Sequence, residues 1–382
     1  MFYSVQRSSL FSIKQAQIFI PLTTRKNAYP MPLEISLEYT KNSRIDAVDF
    51  DHLSFGSVFS DHMFVCQYKD GIWQDFSIKP YGPICLNPSA KIFHYGQSIF
   101  EGMKAYKDAQ GSVLLFRPDE NWKRLNRSAK RLMMPEVPQE IFMDGLAKLL
   151  EIDQHWIPTN DGSSLYIRPF MFASGEGFHA SPADAYTLVI ATAPSGAYFS
   201  GKVKVSIEEK YARAANGGVG FAKAGGNYAA QFYPTQLAID QGYQQVIWTD
   251  DHSHEYIEEA GAMNVFIRIN NTLITSPTSD RILDGVTRKS IIQIAQDRGI
   301  PVEVRKISVQ EVVAAAQANT LKEMFGAGTA AVISPIAGFG HKGIDYDLPE
   351  LEDSYAAQLK KQITDIQTNK SKDPYGWRVK VL

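Results

Sequence analysis

The chain has 382 residues, 44% of them hydrophobic and 21% charged, with a formal net charge of −2. That length exceeds what one hydrophobic core usually organises, so two domains are expected, and the near-balanced charge removes the electrostatic case for a nucleic-acid or membrane-surface binder. Two cysteines, Cys66 and Cys85, are too few for a disulfide framework or a thiolate metal site, and no apolar run reaches membrane-spanning length, which leaves a soluble small-molecule enzyme without a metal.

Residues 1–33 carry Arg7, Lys14, Arg25 and Lys26 and no acid before Glu34. This composition suits an organellar transit peptide; a disordered extension or a start placed too far upstream is the other reading, and without import the expected location is cytoplasmic. From 34 to 195, short β-rich runs alternate with helical ones, which gives a small mixed α/β domain whose clearest strands are 165–168 and 186–193. Pro118, Asp119 and Glu120 open a helix with Trp122, Leu125, Ala129 and Leu132 at helical spacing. Its other face carries Lys123, Arg124, Arg127, Lys130 and Arg131, usually a solvated stripe, from which one arginine can turn inward to an anion.

Residues 194–201 are turn-rich, so the linker between domains is expected over 196–210. The second, larger domain, 211–382, reads as strands at 245–249, 264–269 and 302–304 with helices at 288–298 and from Ser308, where Ser308 and Glu311 form a capping box.

Four segments of this half can carry chemistry. Gly217-Gly218-Val219-Gly220-Phe221-Ala222-Lys223-Ala224-Gly225-Gly226 sets one lysine among small residues. Glycines let backbone approach a planar ligand, and a lysine shielded from water becomes a competent amine nucleophile; a glycine-rich surface turn with a solvated lysine is the plain alternative. A nucleotide P-loop fails, because Ala222 and Ala224 replace the required glycine and Ser/Thr. Glu258 and Glu259 lead into a strand, and an acid held against a heteroaromatic nitrogen keeps that ring an electron sink, whereas a solvated hairpin end is the ordinary reading. Asp284-Gly285-Val286-Thr287 delivers the chain to a helix N-terminus that can bind phosphate or be simply capped. Gly326-Ala327-Gly328-Thr329-Ala330-Ala331 lacks the following helix a dinucleotide motif needs and is left as an anion nest. His252 and His254 read as an exposed loop rather than metal ligands.

Taken in order, His94-Tyr95-Gly96-Gln97, Phe100-Glu101-Gly102-Met103-Lys104-Ala105, Leu165-Tyr166-Ile167-Arg168-Pro169, Gly196-Ala197-Tyr198-Phe199, Lys223-Ala224-Gly225-Gly226-Asn227-Tyr228 and Gly326-Ala327-Gly328-Thr329-Ala330 resemble the branched-chain amino acid aminotransferases. These are a fold-type IV pyridoxal-phosphate family, and the resemblance runs from about residue 40 to the C-terminus. It implies a two-domain α+β fold with an interdomain loop, a homodimer, and pyridoxal 5′-phosphate as cofactor. It further implies that Lys223 carries the cofactor and shuttles the proton, Glu259 pairs with the pyridine nitrogen, and Tyr228 hydrogen-bonds the phenolic oxygen. Arg124, Val286, Thr287 and Thr329 are then expected to hold the phosphate. Tyr95 and the amides of Ala262 and Ala330 are expected to meet the α-carboxylate, Phe100, Tyr166 and Tyr198 to wall the side-chain pocket, and Arg168 to serve the acidic co-substrate.

The implied reaction moves the amino group of Leu, Ile or Val to 2-oxoglutarate, giving 2-oxo acids and glutamate. Mammalian members carry a redox-sensitive Cys-x-x-Cys where Ala331 and Ser334 stand here, so thiol regulation at that place is not expected. Two rivals remain: a fold-type IV lyase of the aminodeoxychorismate type, differing in the pocket, and a non-enzymatic nucleotide or anion-binding module built on the glycine loops.

Overall fold

The computed structural model describes residues 33–196 and 203–382. The leader expected over 1–33, except for its last residue, and Tyr198 lie outside the described residues. Residues 33–382 fold as one compact unit.

Among the described residues, two nine-stranded sheets organise the chain. The first runs Ser36–Leu37, Ile72–Pro80, His62–Lys69, Tyr186–Ser195, Ser164–Ala173, Met103–Lys107, Val113–Phe116 and Arg378–Lys380, with Ser98–Phe100 pairing off Ser164–Ala173. In the second, Ile257–Ala260, Gln245–Thr249, Val203–Ile207, Val332–His341, Leu321–Gly328 and Met263–Ile269 follow one another, and the last pairs back onto the first. This closes a six-membered ring of strands and removes the free edges an open sheet would expose. Alternation along the ring is strict where it matters: Val265 and Ile267 join the core that holds the helix Val309–Gln317, while Phe266 between them joins the core under the helices Val286–Asp297 and Tyr355–Gln367.

Several expected elements form with small shifts. The Pro118 helix is Pro118–Arg131, and the strands at 245–249 and 302–304 appear with those bounds. The strand expected to stop at 193 continues to Ser195, because Pro194 lies past the last residue paired with His62–Lys69, where its missing N–H goes unneeded. Inside the segment 196–210, expected as linker, Val203–Ile207 is a strand of the second sheet. The C-terminal strand Arg378–Lys380 returns to the first sheet, although it belongs to the segment assigned to the second domain. At Ser308 only half of the capping box forms: its hydroxyl accepts from the Glu311 amide at 3.0 Å, but the Glu311 carboxylate turns to Arg305 at 2.6 Å, since a bidentate ion pair outcompetes a single amide. Among the described residues, no helix is long and apolar enough to cross a membrane.

Candidate active site

The glycine-rich loop is tied to two helices and to the first sheet before it delivers Lys223. The Asn227 side chain, on the helix Gly225–Asp240, donates to the Val219 and Ala222 carbonyls at 2.9 Å each. The Lys223 amide donates to Ser128 Oγ at 2.9 Å and its carbonyl accepts from the Phe100 amide at 3.0 Å. With the backbone fixed on both sides, Nζ donates to the Tyr228 hydroxyl at 2.7 Å and lies 4.6 Å from the centre of the Phe100 ring. An amine on a phenol, against an aromatic wall, is a placed nucleophile rather than a solvated surface charge.

Glu259 belongs to the tight hairpin Ile257–Ala260/Met263–Ile269 and is 3% exposed. Its carboxylate accepts from the Leu283 amide at 2.8 Å and the Asn264 side chain at 3.2 Å, and Arg213 Nε stands 2.9 Å away. Burial pushes its pKa upward, against the pull of Arg213 and of the Leu283 N–H. Glu258 is taken up instead by Arg281 at 2.6 Å.

Arg124 is the arginine that turns inward from the basic helix. The helix buries Asn121, Arg124 and Ser128, which share one face at i, i+3 and i+7, and all three make polar contacts. Glu101, fully buried, receives Arg124 Nε and Nη2 at 2.8 Å each and Asn121 Nδ2 at 2.8 Å. Burial drives the Glu101 carboxyl up, but Arg124 and its other partners outweigh that and hold it below the ordinary range. Removing one member of such a buried pair strands the other charge at a cost of about 3–5 kcal/mol. Arg124 Nη1 donates to the Asp284 carbonyl at 3.1 Å, which brings it to the start of the helix Val286–Asp297. There the first-turn amides of Val286 and Thr287 have no intrahelical acceptor. A side chain at Gly285 would collide with Asn264, so glycine keeps this turn close to the site.

One small recess of about 40 Å³ is lined by Lys223, Glu259, Arg124, Val286, Thr287 and Thr329 together with neighbouring backbone. It adjoins a cavity of about 1010 Å³, whose wall includes Phe100, Tyr166, Arg168, Tyr228, Ala262 and Ala330. Arg168 lies over the Phe100 ring at 4.6 Å and donates through Nη2 to the Tyr166 hydroxyl at 3.0 Å, while its buried Nε has no hydrogen-bond partner. Thr329 Oγ1 donates to the Gly102 carbonyl at 3.1 Å. Twelve of the fourteen residues expected at the site therefore line one continuous space. Tyr95 does not: it is 40% exposed on the short helix Ile92–Tyr95, and its hydroxyl donates to the Phe178 carbonyl. Tyr198 lies outside the described residues.

The Amino-transferase class IV family matches residues 98–339. The branched-chain-amino-acid transaminase 1 of Bacillus subtilis (strain 168) is 44% identical over 342 residues, 87% of this chain and 95% of that relative. The chain belongs to the class IV amino-transferases, among the branched-chain-amino-acid aminotransferases. Solved members share its fold: the branched-chain amino acid aminotransferase of Escherichia coli matches with a TM-score of 0.67 at 26% identity, covering 84% of this chain and 99% of that one. The enzyme of Thermoproteus uzoniensis with norvaline matches with a TM-score of 0.69 at 25% identity, covering 84% and 100%.

Five groups of this aminotransferase were not assigned roles from sequence: Glu101 and Asn121 behind Arg124, Ser128 under the lysine, and Arg213 and Asn264 around Glu259. Asn121 and Ser128 had a readable signal, their helical phase with Arg124. Arg213 had none, since its partner is 46 positions away and nothing local distinguishes it. Among the described residues no cluster of His, Cys, Asp and Glu suits a metal, and His254 is bound to Thr249 at 2.8 Å.

Proposed function

We propose that this aminotransferase transfers the amino group of Leu, Ile or Val to 2-oxoglutarate, with pyridoxal 5′-phosphate bound in the recess. The observation that carries this reading is that an amine, Lys223, and a buried carboxylate, Glu259, line the same recess as an arginine and a helix N-terminus. That donor set fits a phosphorylated pyridine aldehyde: the amine for the aldehyde, the carboxylate for a ring N–H, and Arg124 with the amides of Val286 and Thr287 for the phosphate.

When bound, the cofactor supplies a carbonyl that takes up and returns the amino group and a protonated ring that accepts electron density. Lys223 Nζ would take up the proton that leaves the substrate Cα and give a proton back at that atom in the second half-reaction. Tyr228 holds Nζ in place for both transfers. Glu259 keeps a proton on the ring nitrogen. Phe100 and Tyr166 exclude water around an apolar side chain, and the amides of Ala262 and Ala330 face the α-carboxylate.

Purified protein given Leu, Ile or Val with 2-oxoglutarate is expected to form glutamate and the matching 2-oxo acid. No turnover of any of the three, or release of pyruvate without an acceptor, would sink the reading. Arg168 makes the two substrates compatible, because its guanidinium lines the cavity and can turn to a distal carboxylate while aliphatic side chains rest on the rings beside it. Arg168→Met is expected to raise KM for glutamate and 2-oxoglutarate by about 10- to 100-fold, the worth of a charged hydrogen bond, and to leave the Leu half-reaction within a few-fold. Equal losses on both would remove Arg168 from this role.

The enzyme works as a homodimer on this reading. Tyr95 sits on an outward face with Phe93, 62% exposed, and Phe178, 71% exposed, an aromatic patch that a second copy would cover. From there Tyr95 would complete the partner's cavity rather than its own.

A further inference from the structure

Lys104 lies on the strand Met103–Lys107 and is 8% exposed. Its ammonium donates to the Ala330 carbonyl at 2.6 Å. Burial lowers its pKa to about 8, and Lys360 acts in the same direction. No acid offsets that cost, so the position is not explained by packing: a methionine fills similar space without burying a charge.

Ala330 belongs to the turn between the strands Leu321–Gly328 and Val332–His341, in which Val332 takes a left-handed φ of 59°. A β-branched residue in that region is strained, so contacts from outside the turn help to hold it. Two bonds from one stretch of the first sheet fix it: Thr329 Oγ1 to the Gly102 carbonyl, and Lys104 Nζ to the Ala330 carbonyl. Gly102 in turn cannot carry a side chain, since a Cβ would collide with the Tyr166 hydroxyl. A planar trans peptide directs its N–H opposite its C=O. Pulling the Ala330 carbonyl onto Lys104 therefore turns the Ala331 N–H the opposite way and fixes the tilt of the turn, of which Ala330 and Ala331 both line the cavity.

We infer that Lys104 is a positioning residue for the substrate α-carboxylate, acting through the Ala330 carbonyl on the turn 328–331 and touching neither substrate nor cofactor. The inference rests on the branched-chain aminotransferase reading, in which this turn receives the α-carboxylate. Both substrates carry that group, so the effect falls on both, unlike that of Arg168.

The test is Lys104→Met in the purified holoenzyme. KM for Leu and for 2-oxoglutarate is expected to rise about tenfold each, the worth of one charge-assisted hydrogen bond, with kcat within about threefold. Inhibition by 4-methylpentanoate, a branched carboxylate without an amine, is expected to weaken by the same factor, while the cofactor's visible absorption and affinity stay unchanged. Unchanged KM and inhibition in a folded variant overturn the inference. If the Met variant does not fold, Lys104→Gln is read the same way: its amide is too short to reach the carbonyl, so KM rises several-fold, and wild-type KM overturns the inference. Wild-type turnover of leucine in the same assay separates the two levels. With that turnover present, an unchanged variant defeats only the role of Lys104; with it absent, the reading of the site falls and the inference falls with it.

Discussion

Lys223→Ala is expected to lower turnover by at least about 10⁴-fold, beyond the upper end of what one positioned acid–base group contributes, because the same amine also serves as the nucleophile. The visible absorption of the lysine-linked cofactor should vanish with it. Stability should change little. The Lys223 side chain makes one hydrogen bond, to Tyr228, and the backbone bonds to Ser128 and Phe100 do not need the side chain. A folded Lys223→Ala protein that bound the cofactor without the lysine-linked absorption and without turnover would separate covalent attachment from the phosphate and ring contacts, which Arg124, Val286, Thr287 and Glu259 would still make. Turnover within tenfold of wild type would remove Lys223 from the reaction.

What could be read from the chain alone follows the range of the interactions involved. Lys223, Tyr228 and the glycines around them are neighbours in sequence, and the loop that they form is the one found. Arg124 could be singled out as an arginine able to turn inward, but not chosen over Arg127 or Arg131, since the stripe is uniformly basic. The choice is made by Glu101, 23 residues earlier, whose burial demands a cation. The apolar positions of that helix were legible, and the phase shared by Asn121, Arg124 and Ser128 was also there to read, but hydrophobic periodicity passes over it because it counts polar residues as exposed. Lys104 and Arg213 are the extreme cases. Each is an ordinary basic residue by composition and acquires its partner only when two strands or loops distant in sequence meet. Tyr95 marks a different limit: motif order assigned it to the substrate, but one chain alone does not bring it to its own cavity.

The second large effect concerns Glu259, and its sign depends on pH. A carboxyl whose folded-state value is raised adds stability below its unfolded value and loses that contribution as pH rises through the folded value. Above its raised folded value the ionised, buried Glu259 is thus a cost to the cofactor-free protein, only partly offset by Arg213. A pyridinium placed against it removes that cost, so cofactor binding should raise Tm beyond what the phosphate contacts alone supply. The extra gain should shrink as pH falls through the raised value, since a protonated Glu259 no longer attracts the ring charge. Glu259→Gln keeps the shape and the hydrogen-bonding capacity toward Leu283 but removes the charge. Its kcat is expected to fall by about 10²- to 10³-fold, comparable to deleting one preorganised electrostatic contact to a developing charge. Its cofactor-induced Tm gain is expected to be smaller than that of wild type and to lose the pH dependence just described. Calorimetry of the cofactor-free and cofactor-loaded proteins between pH 5 and about pH 8 reads both. A Gln variant whose Tm gain tracked wild type across that range, with kcat unchanged, would mean that the carboxylate does not face the ring and serves only its structural partners Arg213, Leu283 and Asn264.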